Sequence, residues 1–453
     1  MADSIDDLLG LDRDVRRAAA AYARWRAEIV TLPEEGLLED PFDGLRHTST
    51  KSTWDALGRQ APSTVDAPLR DALRRWVGAL LQSRVLMRDD LALAKESHVG
   101  RGRFEGSPQK KVSWRDAWRG FLASKRVAES RLWLEAAGDS GPALADAIRT
   151  RASRRVEVAR RMGFLHPWEM LVPFDRSVLR EAARRLLDAT EDLSRAVWRD
   201  ALRDERHDAA ATLHAALSRD ASEGWPARLT PRWLEETFGA ARGDLPIDLP
   251  ALPQTVGASS FARALSTFGH SVRLATAPHG FPFALARDPA FVAAHRFGFV
   301  FGSLAAEPEF HVRALGLVRR SAISQARILA RSALLDARLH AARILLGDDV
   351  GIASRDAFEE IGTRLFGAPL DIRWCGAWPA AREDEPARLL GLLGARALRN
   401  DLRDRFDVDW FRNPRAWVAM RTEGTQPAFE PSDHRTPVAE ADALARAFEE
   451  ALG

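Results

Sequence analysis

The stretch that decides the fold is FARALSTFGHSVRLATAPHGFPFALARDPAFVAAHRFGFVFGSLAAEPE, which runs from Phe261 to Glu309. We interpret 260–276 and 290–305 as two helices. Side chains four positions apart lie on one helix face, so two histidines at that spacing can reach one metal ion. At 266–270 the chain has Ser-Thr-Phe-Gly-His, in which only His270 is an ordinary metal ligand.

This stretch resembles the metal-binding core of the thimet oligopeptidase and oligoendopeptidase F family of zinc peptidases. In that family one helix carries HExGH, with two histidine ligands and a glutamate base, and a second helix supplies a glutamate ligand. The segment 268–270, Phe-Gly-His, matches the end of the first motif, and HRFGFVFGSLAAEPEF from His295 resembles EGFAxLFExLxxDPxW of the second. The sequence similarity continues upstream at 174–198 and downstream at 387–414, so the resemblance covers roughly 155–425.

The resemblance implies four catalytic roles, and the matching positions lack the residues that perform them. Ser266 stands in place of the first histidine ligand, and Thr267 stands in place of the general base. His295 occupies the position of the carboxylate ligand. The window that matches the family's tyrosine is Leu-Leu-Gly at 389–391, and the only tyrosine in the chain is Tyr22. We therefore predict that the scaffold remains while the catalytic residues at these positions have been lost.

A residual metal site is an open alternative. His270 and His295 could face each other, and His279 in the loop APHG would complete a three-histidine set that is chemically suitable for zinc. The competing interpretation is that both helix histidines are buried and hydrogen-bonded to neighbours. No third ligand has the required helix spacing, and no base lies close to His295.

An all-α fold is expected, namely a large two-lobed helical bundle around a central channel, as the resemblance implies. We expect a helical lobe over 1–160, connecting helices over 161–225, a proline-rich extended crossing over 226–259, a catalytic-like lobe over 260–430 and a tail helix over 431–453. Proline removes a backbone donor and disrupts helices, which supports the crossing. The helices are predicted at 12–30, 66–98, 114–136, 141–161, 177–203, 260–276, 290–305, 309–346, 354–366, 384–406, 413–421 and 437–452.

Charge is balanced along the chain. Its 66 Lys+Arg and 64 Asp+Glu residues give a formal net charge of +2, and acids are interleaved with bases throughout. A nucleic-acid-binding surface would concentrate positive charge on one face, so nucleic-acid binding is the weaker hypothesis. Arg313, Arg319 and Arg320 belong to an arginine-rich helix that we interpret as solvated or ion-paired, or alternatively as a wall that binds an acidic peptide or phosphate.

Cys375 is the only cysteine, so the chain forms no internal disulfide. It lies between two tryptophans and is predicted to be a buried structural thiol. Trp374, Trp378, Trp410 and Trp417 are expected in the core, with a peptide groove as the alternative. We find no signal-like N-terminus and no apolar run long enough to cross a membrane, so a cytoplasmic protein without membrane contact is expected.

Our leading hypothesis is a pseudopeptidase that binds a peptide or protein partner without a cofactor. The alternative is a metal-dependent hydrolase, with zinc bound at a rearranged site around His270 and His295.

Overall fold

The computed structural model describes residues 7–31, 39–59, 66–104, 111–172, 174–218, 230–247, 258–277, 280–347, 354–379, 382–423 and 436–453. Helices account for nearly all of the regular structure in these ranges, which confirms the all-α prediction. No helix in these ranges is both long and apolar enough to cross a membrane.

The first part of the chain forms the N-terminal helices and one antiparallel hairpin. Its elements are α1 (Leu8–Thr31), α2 (Lys51–Arg59), α3 (Ala67–His98), β1 (Gly100–Arg103), β2 (Lys111–Ser113), α4 (Trp114–Ala123) and α5 (Val127–Arg161). The middle part contains α6 (Arg176–Ala189), α7 (Glu191–Ala201), α8 (Ala209–Leu213), a π-helical turn (His214–Ser218) and α9 (Pro231–Arg242).

The last part of the chain is also helical. It contains α10 (Ala258–Ala275), α11 (Phe283–Ala286), α12 (Val292–Ser303), α13 (Pro308–Leu315), α14 (Arg319–Leu346), α15 (Arg355–Phe366), α16 (Glu385–Phe406), α17 (Pro414–Glu423) and α18 (Thr436–Leu452). Short 3-10 turns lie at Arg46–Ser49, Pro167–Met170, Leu304–Ala306, Ile372–Trp374 and Trp410–Arg412.

Several predicted boundaries are wrong. The segment 177–203 is two helices that meet at Thr190, and 309–346 is broken at Gly316, whose φ of +68° ends α13. The proline-rich crossing contains α9, because Thr230 caps the helix and Pro231 occupies its first turn, where proline is tolerated. The rest of the extended segment, 248–257, lies outside the described residues. Asp175 caps α6, since its carboxylate accepts from the amide of Ser177.

The three largest clusters of buried apolar residues among the described residues contribute most of the hydrophobic stabilisation of the fold. The main core lies between α4, α5, α6, α14, α15, α16 and α18. An N-terminal core joins α1, α2 and α3. The third cluster, which we call the aromatic core, joins α9, α10, α12, α16 and α17, and the rings of Phe238 and Phe268 stack in it with centroids 4.6 Å apart.

Candidate functional site: a channel between α10, α12, α14, α16 and α18

Helices α10 and α12 are in close contact because glycines lie where they meet. A Cβ atom added at Gly269 would be 2.5 Å from the carbonyl oxygen of Phe297, and one at Gly302 would be 2.2 Å from Ser266 Oγ. The opposite face of α10 is apolar and buries Phe261, Ala264, Leu265, Phe268 and Val272 in the aromatic core. This packing fixes the rotation of α10 and directs its polar face away from that core.

The polar faces of both helices line a channel of about 1170 Å³. Helix α10 contributes Ser266, Thr267 and His270, and α12 contributes His295. The remaining walls come from α14, α16 and α18, with Trp114 and Trp118 of α4 at one side. All four helix positions of the predicted site therefore face one cavity.

The two histidines are neighbours. Their ring centroids lie 5.3 Å apart with the ring planes at 63°. His295 Nε2 is 3.3 Å from Asp384 Oδ2, and Arg388 Nε donates to the same oxygen at 2.8 Å. His295 therefore has a carboxylate neighbour, and the expectation that no base lies close to His295 is wrong.

Burial controls the protonation of this pair. It lowers the pKa of His270 to about 3, with the adjacent ring of His295 and the guanidinium of Arg388 adding to the effect. Burial also lowers the pKa of His295, although the carboxylate of Asp384 opposes the shift. Both imidazoles are consequently neutral at neutral pH.

A second polar cluster faces the same channel from α14 and α16. His340 Nδ1 donates to Glu385 Oε1, and His340 Nε2 lies 3.6 Å from Asp336 Oδ2. Burial alone would lower the pKa of His340, but the two carboxylates raise it above its ordinary value. The side chain of Asp336 is 54% exposed, and it lines the interior of the channel. The two carboxylates therefore favour the protonated form of His340.

Sequence reasoning missed Asp384, Asp336, His340 and Glu385. Asp336 and His340 carry a detectable signal, since they lie four residues apart on α14 and therefore on one face of the helix. The two acids at 384–385 look like an ordinary acidic helix start, because carboxylates are favourable near helix N-termini. Their partners become visible only when helices distant in sequence are placed side by side.

The donor set in the channel does not fit a catalytic zinc. Such a site needs three protein ligands and an open position. Among the described ranges, no group of three His, Cys, Asp or Glu side chains could hold a metal ion. His279 lies outside the described residues.

The window 389–391, which the resemblance matches to a tyrosine, contains no phenol either. Leu389 and Leu390 are fully buried, and a Cβ atom at Gly391 would be 2.8 Å from His295 Cβ. Tyr22 is far from the channel lining and donates from its hydroxyl to Asp90 at 2.9 Å.

The three arginines proposed for ligand binding are separated by the structure. Arg319 lines the channel and pairs with Glu309 at 2.8 Å. Arg313 pairs with the same carboxylate, whereas Arg320 is exposed and does not line the channel.

The tryptophans divide between core and channel. Trp374, Trp410 and Trp417 are buried as predicted, while Trp378 is partly exposed and lines the channel. Cys375 is a free, partly buried thiol whose pKa is raised by burial, which agrees with a structural role.

Two solved structures share this fold. An oligoendopeptidase F from Enterococcus faecium aligns with a TM-score of 0.56 and 11% identity, over 98% of this chain and 90% of its own. A Bacillus anthracis protein assigned as an oligoendopeptidase F aligns with a TM-score of 0.53 and 11% identity, over 95% and 87% of the two chains. No protein-family model and no curated protein sequence matches the chain. The chain has an oligoendopeptidase F-like helical fold.

Proposed function

We propose that this chain is a pseudopeptidase that binds an extended peptide, free or as part of a protein, in the channel and does not hydrolyse it. One observation carries the proposal: Ser266, Thr267, His270 and His295 line a single channel, yet they supply neither a carboxylate base nor a third metal ligand. The peptidase-like cavity supports binding, and the replaced side chains argue against zinc-dependent cleavage.

Size and chemistry of the channel also support a peptide ligand. A cavity of about 1170 Å³ exceeds what most small molecules fill. Its lining combines the rings of Trp114, Trp118 and Trp378 with arginine side chains. Such a surface offers both apolar contacts and hydrogen-bond donors to an extended backbone.

The test measures zinc content, cleavage and binding on the same preparation. Protein purified without chelators should contain less than stoichiometric zinc, should leave a mixed peptide library intact, and should bind labelled library peptides. One equivalent of zinc that disappears in His270→Ala, together with cleavage of the library, would overturn the proposal in favour of the metal-dependent hydrolase.

The neighbouring histidines favour that second candidate to a limited extent. Both rings are neutral, so each could offer a lone pair to a metal ion. A rearranged site would need a ligand beyond these two, and the zinc measurement decides between the two functions.

Repairing the motif is a stronger test of how the helices are placed. The combined change Ser266→His, Thr267→Glu and His295→Glu should create a site that binds one equivalent of zinc, because all three positions face the channel beside His270. Zinc is measured by elemental analysis, and the matched control carries Ala at position 270. A folded triple variant without zinc would contradict the assigned correspondence of the helices.

A further inference from the structure

The wall of the channel carries an excess of positive charge. Nine arginines line it against four carboxylates among the described residues. The arginines are Arg263, Arg319, Arg343, Arg382, Arg388, Arg396, Arg399, Arg403 and Arg446, and the carboxylates are Glu307, Glu309, Asp336 and Glu450. Three further carboxylates, those of Asp384, Glu385 and Glu440, pair with lining arginines without lining the channel themselves, so nine arginines face seven carboxylates in all.

Five of these arginines are neutralised by ion pairs. Arg319 pairs with Glu309, Arg343 with Glu385, Arg388 with Asp384, Arg396 with Glu440 and Arg399 with Glu307, at distances between 2.8 and 3.9 Å. These pairs hold the wall together and have little remaining attraction for a ligand.

The other four arginines have no carboxylate within ion-pairing distance in the described part of the chain. They are Arg263 of α10, Arg382 before α16, Arg403 of α16 and Arg446 of α18. They come from three helices and a loop, and two of them act on carboxylates beyond ion-pairing distance, Arg403 on Glu307 and Arg382 on Asp384 and Glu385. Arg263, Arg382 and Arg446 are exposed, and their guanidinium groups can therefore move to meet a ligand.

The channel follows α16 for most of the length of the helix, and this length limits the span of a bound ligand. Arg388, Arg396, Arg399 and Arg403 all face the channel from this helix. The first and last are fifteen residues apart, which is about 22 Å of helix. An extended chain covers that length with about seven residues.

We propose that the channel is selective for an acidic peptide, about seven residues long and rich in Asp or Glu. This inference rests on the proposed function, since it names the class of peptide that the channel takes. Guanidinium groups bind carboxylates in a forked, two-bond geometry, and a channel with apolar walls strengthens their field. The tryptophan side of the channel accepts the apolar residues of the same peptide.

The experiment compares three fluorescent heptapeptides that differ only in whether alternate positions are Glu, Gln or Lys. Fluorescence anisotropy should give the Glu peptide an affinity on the order of tenfold above the Gln peptide, with the Lys peptide weakest. The advantage should shrink as salt is raised.

The decisive variant is Arg263→Gln, Arg403→Gln and Arg446→Gln in one chain. None of these changes leaves a carboxylate without its partner, so folding should be retained and is checked by thermal unfolding. The variant should bind Glu and Gln peptides with similar affinity. Its control changes Arg320, Arg412 and Arg415 to Gln, which are exposed and lie outside the channel lining. That control should keep the full preference.

The outcomes separate this inference from the function on which it rests. Equal binding of the three peptides by the wild type would overturn the acidic preference and leave peptide binding in place. Absence of binding by all three would overturn both. A single-stranded oligonucleotide of equal charge that binds more tightly than the Glu peptide, and is lost in the same variant, would overturn the inference in favour of nucleic acid.

Discussion

At the scale of single residues, the neighbours of two channel histidines move their pKa values in opposite directions. Burial lowers the pKa of His270, whereas the carboxylates of Glu385 and Asp336 raise the pKa of His340 against the effect of its burial. The same type of side chain is therefore harder to protonate on one wall of the channel and easier to protonate on another.

The neutral state of His270 makes the fold sensitive to acid. Its pKa is about 3 in the folded chain and about 6.5 when unfolded, so the unfolded state takes up the proton first as pH falls. The stabilising contribution is complete above pH 6.5 and is lost progressively toward pH 3. We expect His270→Gln to reduce the loss of stability between pH 7 and pH 5 by on the order of 1 kcal/mol, since channel water partly solvates the ring.

Urea unfolding of the wild type and of the His270→Gln variant at pH 7 and pH 5 measures this change in the free energy of unfolding. His207→Gln, which changes an exposed histidine outside the channel lining, is the control and should leave the pH dependence as it is in the wild type. Identical pH dependence in wild type and His270→Gln would contradict the assignment.

The location of the predicted residues could be read from the sequence, but their partners could not. The resemblance of 261–309 to the two motif-bearing helices was sufficient to place His270 and His295 together in one site. Whether Asp384 and His340 lie near this site depends on how α14 and α16 pack against the other helices. The local sequence around these residues does not reveal that packing.

At the scale of helices, glycines determine how closely α10 and α12 pack against each other. Gly269 is the position where α10 contacts the backbone of α12. Its substitution would require the two helices to separate, because the atom it meets is a carbonyl oxygen and not a movable side chain.

We expect Gly269→Ala to lower the free energy of unfolding by about 2 to 4 kcal/mol. The control is Gly78→Ala, at a buried helical glycine where an added Cβ would meet Trp54 no closer than 3.4 Å. That change should be neutral or stabilising by about 0.5 kcal/mol, since alanine favours helix. Chemical denaturation measures both. Equal effects of the two substitutions would show that the close approach of the helices is not the cause.

Helix boundaries were the least predictable feature, and contacts between distant segments explain why. A break was expected between 136 and 141, where Gly138, Gly141 and Pro142 cluster. Helix α5 instead runs through this segment to Arg161, and the actual break is at 124–126. Gly141 lies against the backbone of Arg373, where a Cβ would be 2.0 Å from the carbonyl oxygen, so tertiary contact and not local propensity selects glycine here.

At the scale of the whole molecule, the N-terminal helices are tied to the channel. Asp12 of α1 is buried and accepts from the amides of Phe283 and Ala284, both at 2.8 Å. Trp76 of α3 donates to the carbonyl of Arg287 at 2.6 Å. The segment 280–291, which leads directly into α12, is therefore fixed from outside the site.

Removing this connection should loosen the segment that leads to His295. Asp12→Ala leaves two buried amides without an acceptor, and we expect a loss of about 1 to 3 kcal/mol in local stability. Hydrogen exchange should become faster at residues 283–287, while Asp14→Ala, at a partly exposed position on the same helix, should leave it unchanged. Unaltered protection at 283 and 284 in the Asp12 variant would show that α1 does not order this segment.

The contact at Gly391 limits which side chains α16 can carry at this point. With no side chain there, α16 approaches α12 so closely that a Cβ atom at position 391 would be 2.8 Å from both His295 Cβ and the backbone nitrogen of Arg296. A tyrosine introduced at this position would push α12 away and would impair folding before any enzymatic benefit could appear. Supplying the channel with a phenol from this position would therefore need compensating changes in α12 first.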